Sequence, residues 1–315
     1  MSSIAILGSG FGLYGYLPAL VECGQKIVLP RRYRERFEER TELKALSSQV
    51  HWAEDEIAAL QSTSGVVLAV SPSVQCKWVS ICLDQPQLKY MFLEKPLAAN
   101  PDDATKLQSL LQRSGKVVRI AYVFRFQDWV DRLQSCLLGN VSDTFRLVWQ
   151  FQSHHFRNDL PTWKREPEHG GGPLRFYGIH LVALLAEFGY STVVRCSTDN
   201  GNENSLSRWR ATFAGKGLPD FEVEIDTAST ECVFSVLRET TRETINVIRQ
   251  PSPFSNGALA NRPGRLDGRV DTLIHFCQSA WNDQVLMPEF YGHTILLWKE
   301  LEHVERCNHS VRFAA

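Results

Sequence analysis

The sequence predicts an α/β protein in which an N-terminal parallel sheet with crossover helices precedes a C-terminal α+β domain built on an open, mainly antiparallel sheet. Three observations predict it. From residue 3 to about 125, short apolar runs alternate with helix-like segments, which is how a parallel sheet with crossovers reads. Beyond that point strand-like runs follow one another with only turns between them, which implies an antiparallel meander. The 315 residues also exceed the ~100–200 that one core usually organises, so two domains are expected, 1–121 and 122–315, with the C-terminal helices free to pack back on the first.

In order along the chain, Ser3–Leu7 is a buried-strand run, followed by Gly8-Ser9-Gly10-Phe11-Gly12 and an apolar helix through Leu17, Leu20 and Val21. Lys26–Leu29 reads as the second strand and Tyr33–Leu46 as a charged helix. Val66–Val70 is the third strand, ended by Ser71-Pro72, and Tyr90–Leu93 the fourth, ended by Glu94-Lys95-Pro96. Asn100-Pro101 starts a helix with a capping side chain and a proline at the first helical position. Leu107, Leu110 and Leu111 mark its buried face, Gly115 stops it, and Lys116–Phe124 is a further strand.

In the second half, Phe145, Leu147, Trp149 and Phe151 alternate with Arg146, Val148, Gln150 and Gln152, the period of a strand with one buried face. Strands are expected at Val193–Thr198, Arg208–Phe213, Phe221–Thr227, Glu231–Leu237 and Thr244–Ile248, and one helix at Leu174–Phe188. Gln250–Gly268, rich in Pro, Gly, Asn and Arg, reads as a long loop, and Val270–Trp281 and Tyr291–Val304 as two closing helices.

Composition narrows the function. The apolar fraction of 43% and charged fraction of 22% are those of an ordinary globular protein. A net charge of -1 offers no basic field for nucleic acid or an anionic membrane. Eight cysteines without CxxC spacing speak against zinc or a disulfide framework and fit a reducing cytosol, so a cytoplasmic location is expected. No apolar stretch approaches the ~20 residues of a membrane span, and the chain runs into its first strand without a signal-like segment. His154-His155, adjacent on a strand end, would point to opposite faces and make a poor metal pair, so no metal is expected.

A strand leading into a glycine-rich turn and then a helix is the context in which such a turn cradles a dinucleotide pyrophosphate at the positive end of the helix. Gly8 and Gly10 give G-x-G with Leu13 in the third position; Gly10, Gly12 and Gly15 give a shifted alternative. The first is preferred because Gly8 directly follows the strand. The second strand should end in Asp or Glu if the ribose carries a free 2′-hydroxyl. It ends instead in Pro30-Arg31-Arg32, whose guanidiniums suit a 2′-phosphate. The cofactor expected is therefore NADP, with NAD the second choice.

Taken with the glycine loop, Phe92-Leu93-Glu94-Lys95-Pro96-Leu97-Ala98 resembles the glucose–fructose oxidoreductase / inositol dehydrogenase / MocA family. The resemblance runs on through Ala69-Val70-Ser71-Pro72, Tyr122-Val123-Phe124-Arg125-Phe126, Trp163-Lys164, and Gly170-Gly171-Gly172 leading to Gly178-Ile179-His180. It implies a Rossmann domain followed by an α/β domain whose open sheet often builds an oligomer interface. It also implies reversible hydride transfer between a nicotinamide and a hydroxyl or keto carbon of a sugar, cyclitol or nucleotide sugar.

By the same resemblance Lys95 contacts substrate hydroxyls, where an ammonium stabilises developing alkoxide charge, and His180 is the candidate acid/base. Gly8, Gly10, Phe11, Gly12, Arg31, Arg32, Ser71, Pro72, Glu94, Lys95, Trp163 and Lys164 make up the expected cofactor site. Two departures stand out. Phe176 occupies the position, four residues before His180, where the family commonly has Asp, which leaves the proton to His180 or the adjacent Tyr177. Gln75 stands where the family often has His. Arg125, Lys164, Arg165 and Arg175 favour an anionic sugar. The competing class is a cofactor-binding regulator that uses the same fold without turnover.

Overall fold

The computed structural model describes residues 3–201, 203–254, 266–283 and 285–313. The chain forms two compact units. The first comprises the described residues up to Ala98, Lys106–Phe126, and the described part of a later segment ending at Pro288; the second comprises Ala99–Thr105, the stretch that begins at Gln127, and the C-terminal part from Glu289.

The first unit carries six parallel strands, β1 (Ser3–Leu7), β2 (Lys26–Pro30), β3 (Val50–Ala53), β4 (Gly65–Leu68), β5 (Tyr90–Leu93) and β6 (Val117–Ile120), in the order β3-β2-β1-β4-β5-β6. Ile4 pairs with Ile27 on one side and with Gly65 on the other, so the strand order reverses between β1 and β4. The central strands are near-continuous apolar runs, buried throughout in β1 and β4 apart from the half-buried Ser3; helices on both faces of a parallel sheet require this. The helices of this half are α1 (Leu17–Glu22), α2 (Arg34–Glu38), α3 (Glu56–Gln61), α4 (Pro72–Leu83) and α5 (Pro101–Arg113). Asn100 caps α5 as expected, its side-chain oxygen accepting the Asp103 amide at 2.9 Å.

The expected helix Tyr33–Leu46 breaks. Only Arg34–Glu38 is α-helical, and 3₁₀ turns follow over Thr41–Gln49. Phe37 and Leu43 are both buried; six residues apart, they would sit about 120° apart on a straight helix, and the extended residue Arg40 lets both face the core. The expected strand Lys116–Phe124 likewise stops at Ile120, with a 3₁₀ turn at Val123–Phe126. β3, α3 and α4 had no reading of their own from the sequence.

The second unit holds α6 (Trp129–Leu137), β7 (Thr144–Gln152), α7 (His154–Arg157), α8 (Ile179–Phe188) and five strands, β8 (Thr192–Asp199), β9 (Arg208–Ala214), β10 (Asp220–Asp226), β11 (Ala228–Glu239) and β12 (Thr244–Gln250). The sheet order is β12-β11-β7-β10-β9-β8. It is mainly antiparallel but not a simple meander, because β7 inserts between β10 and β11 and pairs parallel with β10. Its inward row Phe145, Leu147 and Trp149 thereby gains apolar neighbours on both sides, Phe221, Val223 and Ile225 on β10 and Phe234 and Val236 on β11. The opposite face is charged, with Arg146, Glu224, Arg210 and Asp199 linked across four strands at 2.8, 3.4 and 3.0 Å.

The chain closes with α9 (Val270–Asn282), which lies in the first unit, and α10 (Phe290–Phe313), which packs on α8 and β8 in the second. Residues 255–265 of the expected loop Gln250–Gly268 lie outside the described residues. Among the described residues no helix is long and apolar enough to cross a membrane, and no group of three metal-ligating side chains forms.

Candidate active site

The glycine loop lies at the carboxyl end of β1, beside the point where strand order reverses, which is where doubly wound sheets receive ligands. Gly8 has φ +127°, and a Cβ there would lie 2.1 Å from the Ala69 carbonyl oxygen, so no other residue fits. A Cβ on Gly10 would meet nothing within 4 Å: the space above the loop is open, as close approach of a pyrophosphate demands. A Cβ on Gly12 would lie 2.8 Å from Ile6 Cγ2, so it is Gly12 that lets the helical run come down on β1. These residues fit a dinucleotide.

The loop is held from two sides. The Gly8 amide donates to the Tyr33 hydroxyl at 3.1 Å. Phe11 packs edge-on against Tyr14 and Tyr16, and the Arg269 guanidinium lies 4.1 Å from its ring centroid. Asp267 grips Arg269 through both carboxylate oxygens at 2.8 and 2.9 Å. Burial opposes ionisation of Asp267, but the hydrogen bonds and charge of Arg269 outweigh it and hold the carboxyl below its usual range.

The arginines after β2 divide in use. Arg32 pairs with Glu56 and donates to the Tyr33 hydroxyl at 3.5 Å. Arg31 is exposed, and Arg36, which the sequence did not single out, donates to Ser9 Oγ in the glycine loop at 2.9 Å.

Ser71 and Pro72 follow β4, with Pro72 as the first residue of α4. The Glu94-Lys95-Pro96 turn follows β5, and its Lys95–Pro96 peptide is cis. The Tyr16 hydroxyl donates to Glu94 Oε1 at 2.7 Å; burial, then the charge of Glu94, pushes the Tyr16 pKa well above its ordinary value. Gln75, noted from the sequence only as a departure, is fully buried and hydrogen-bonds the backbone of this turn. Lys95 itself is half-buried.

The second unit carries Trp163, Lys164, Tyr177 and His180. The expected helix Leu174–Phe188 begins instead as a π-helical turn, Pro173–Gly178, before α8. Phe176 and Tyr177 lie on this turn. Trp163 packs edge-on against Phe176 with ring centroids 5.3 Å apart, and the Lys164 ammonium lies 5.2 Å from the Phe176 centroid. Where the family places a carboxylate, a cation therefore faces an aromatic ring. Tyr177 stands among Phe151, Trp149 and His155 at centroid distances of 5.0, 5.9 and 6.2 Å. His180 is buried on α8 between Ile179 and Leu181.

Two sequence expectations change here. His154 and His155 lie on a helical turn after β7, with His154 exposed and His155 buried. Burial first, then the charges of Lys164, Arg165 and His154, pushes the His155 pKa down to about 4, and its Nε2 lies 3.1 Å from Ser153 Oγ. Arg175 is not a spare cation for an anionic substrate, since it pairs with Glu302 at 2.8 Å. Arg165 is likewise engaged, by Asp159 at 3.0 Å and by the His155 carbonyl.

No family model matches the sequence, and a search of curated proteins finds none similar to it. Solved structures do match. The WlbA dehydrogenase from Bordetella pertussis, in complex with NADH and UDP-GlcNAcA, superposes with a TM-score of 0.71 at 12% identity over 98% of this chain and 96% of that one. KijD10, a 3-ketoreductase from Actinomadura kijaniata in complex with NADP and TDP-benzene, gives a TM-score of 0.66 at 14% identity over 97% of both chains. A super-repressor mutant of Gal80p from Saccharomyces cerevisiae gives 0.71 at 13% identity over 98% of this chain and 96% of that one.

The chain has their fold. It is the fold implied by the resemblance to the glucose–fructose oxidoreductase / inositol dehydrogenase / MocA family, and it is shared by dehydrogenases, a ketoreductase and a regulator.

Proposed function

We propose that the chain is an NAD(P)-dependent oxidoreductase acting on a hydroxyl or keto carbon of a sugar, cyclitol or nucleotide sugar. The observation that carries this reading is the pairing, on one sheet edge, of a glycine loop open above Gly10 with a Glu94-Lys95-Pro96 turn pinned by Tyr16 and Gln75. A merely structural turn would not need a half-buried lysine held there. The bound nicotinamide would supply or accept the hydride. Gly8, Gly10, Phe11 and Gly12 hold the pyrophosphate, with Ser71, Pro72, Glu94, Trp163 and Lys164 as further contacts. Lys95 stabilises negative charge developing on the substrate oxygen, and His180, or else Tyr177, moves the proton.

NADP is the preferred cofactor in this reading. No carboxylate ends β2, Arg31 is exposed, and Arg36 already reaches the glycine loop. The charged outer face of the second sheet, in which Arg146, Glu224, Arg210 and Asp199 alternate in sign, suits a self-complementary contact between two copies of the chain. The eight cysteines are free thiols, which suits a reducing, cytoplasmic setting.

The second reading, a cofactor-binding regulator, draws on the Lys164-covered Phe176 in place of an acid and on the fold shared with Gal80p. A screen of sugars and nucleotide sugars, following NADPH and NADH absorbance in parallel, separates the two. Turnover of at least one compound supports the enzyme; tight NADPH binding without turnover supports the regulator.

A further inference from the structure

Gln75 has no exposed surface and stands in the first turn of α4. Its Nε2 donates to the Glu94 carbonyl at 2.8 Å and to the Leu97 carbonyl at 3.1 Å, and its Oε1 accepts the Glu94 amide at 2.9 Å. Both donor hydrogens and the acceptor are thus used, which is all that a side-chain amide offers in two directions at once. The groups it holds straddle Lys95, one residue before it and two after it. From the α1 side the Tyr16 hydroxyl holds the Glu94 carboxylate at 2.7 Å.

No side chain of smaller or simpler chemistry reproduces this. A leucine would take the donor from the Glu94 and Leu97 carbonyls and leave the Glu94 amide only its 3.2 Å bond to the Leu68 carbonyl. A glutamate would keep the acceptor for the Glu94 amide but aim an oxygen at two carbonyl oxygens. An imidazole has one nitrogen on each side and cannot serve the Glu94 amide and two carbonyls together. Buried polar groups satisfied in this way hold their backbone stiffly, and half-satisfied ones do not.

We propose that Gln75 is a positioning residue: it fixes the backbone on both sides of Lys95 and so sets where the Lys95 ammonium stands. The proposal rests on the reading of Lys95 as the group that stabilises charge at the reacting oxygen. A displacement of about 1 Å in such a group costs on the order of 100-fold in turnover. A residue that merely filled the core beneath α4 would leave turnover untouched as long as the protein folded.

The test uses the full chain and the variants Gln75→Leu and Gln75→Glu, each with Lys95 intact and with Lys95→Ala. Three quantities are measured: amide exchange across residues 92–98, the NADPH dissociation constant by fluorescence titration, and kcat and KM on a sugar nucleotide turned over in the screen. Exchange at the turn should rise at least ~10-fold in both Gln75 variants as its hydrogen bonds are lost. NADPH affinity should shift by less than ~3-fold, and kcat should fall ~10- to 100-fold with KM little changed. Once Lys95 is alanine, the Gln75 substitutions should add almost nothing, since two residues acting through one group are not additive. Gln75→Glu, which keeps the shape and one hydrogen bond, serves where Gln75→Leu does not fold. Unchanged kcat in a folded Gln75 variant, alongside a large loss in Lys95→Ala, overturns the proposal alone, as does an undiminished Gln75 effect on the Lys95→Ala background. Full turnover by Lys95→Ala overturns the reading of Lys95, and the proposal with it.

Discussion

The amide of Gly8 donates to the hydroxyl of Tyr33 at 3.1 Å, tying the glycine loop after β1 to the chain after β2. Arg32, which donates to the same hydroxyl and pairs with Glu56, is part of this tie. Tyr33→Phe keeps the ring but leaves the buried Gly8 amide without its acceptor. Stability should fall by about 1–2 kcal/mol, read as a lower Tm, and NADPH should bind several-fold more weakly. An unaltered Tm together with unaltered affinity would show that the loop holds its shape without this bond.

The proposed NADP preference rests on the exposed Arg31 and on Arg36 beside the glycine loop. NADPH should bind more tightly than NADH, and the preference should shrink in an Arg31→Ala, Arg32→Ala double variant. Arg36→Ala should shrink it as well, because Arg36 reaches Ser9 in the loop. Arg32→Ala alone should act mainly on stability, through Tyr33 and Glu56. Titrations in which NADH equals or surpasses NADPH in the parent chain would end this reading.

Lys95→Ala should lower turnover by ~100-fold or more, the scale of losing one charge-stabilising group, with NADPH affinity and Tm changed far less. Steady-state kinetics on a sugar found in the screen, beside a cofactor titration, decides it. Undiminished turnover removes Lys95 from the mechanism.

The proposed function assigns proton transfer to His180 or to Tyr177. His180→Asn should nearly abolish turnover and flatten the pH profile of kcat/KM, while Tyr177→Phe retains both rate and profile. If Tyr177→Phe is the more damaging change, the proton belongs to the tyrosine; if neither variant loses rate, the role implied by the family resemblance fails at this helix.

His155 makes stability depend on pH. The folded state holds it neutral down to about 4, whereas the unfolded chain takes up the proton near 6.5. Between those values the unfolded state binds the extra proton, so stability is fully present above 6.5 and falls as pH drops toward 4. His155→Gln should remove this component, so its Tm should decline less between pH 7 and pH 5 than that of the parent chain. Parallel declines would mean that His155 is not held neutral.

Much of the first unit was legible in the sequence because its signals are local. The apolar runs of β1, β2, β4 and β5, the turns that end them, and the Asn100-Pro101 helix start each lie within a few residues. The second sheet was less legible. Alternation in Phe145, Leu147 and Trp149 marks a strand with one buried face, but carries nothing about β7 entering between β10 and β11. The helix over Tyr33–Leu46 failed for a related reason: charged residues that favour helix filled it, while Phe37 and Leu43 required a break to reach one core.

The sequence by itself determined the doubly wound sheet, the glycine loop, the Glu94-Lys95-Pro96 turn, and the absence of a carboxylate after β2, all of them written in neighbouring residues. Only the tertiary structure decided what holds these pieces. Gln75 reaches Glu94 across 19 residues, Tyr33 reaches Gly8 across 25, and Tyr16 reaches Glu94 across 78. A glutamine and two tyrosines are ordinary residues at most positions, and nothing beside them in the chain sets these apart. Their roles exist because folding buries them against backbone and carboxylate groups that must find a partner, and that requirement arises only once the distant segments have met.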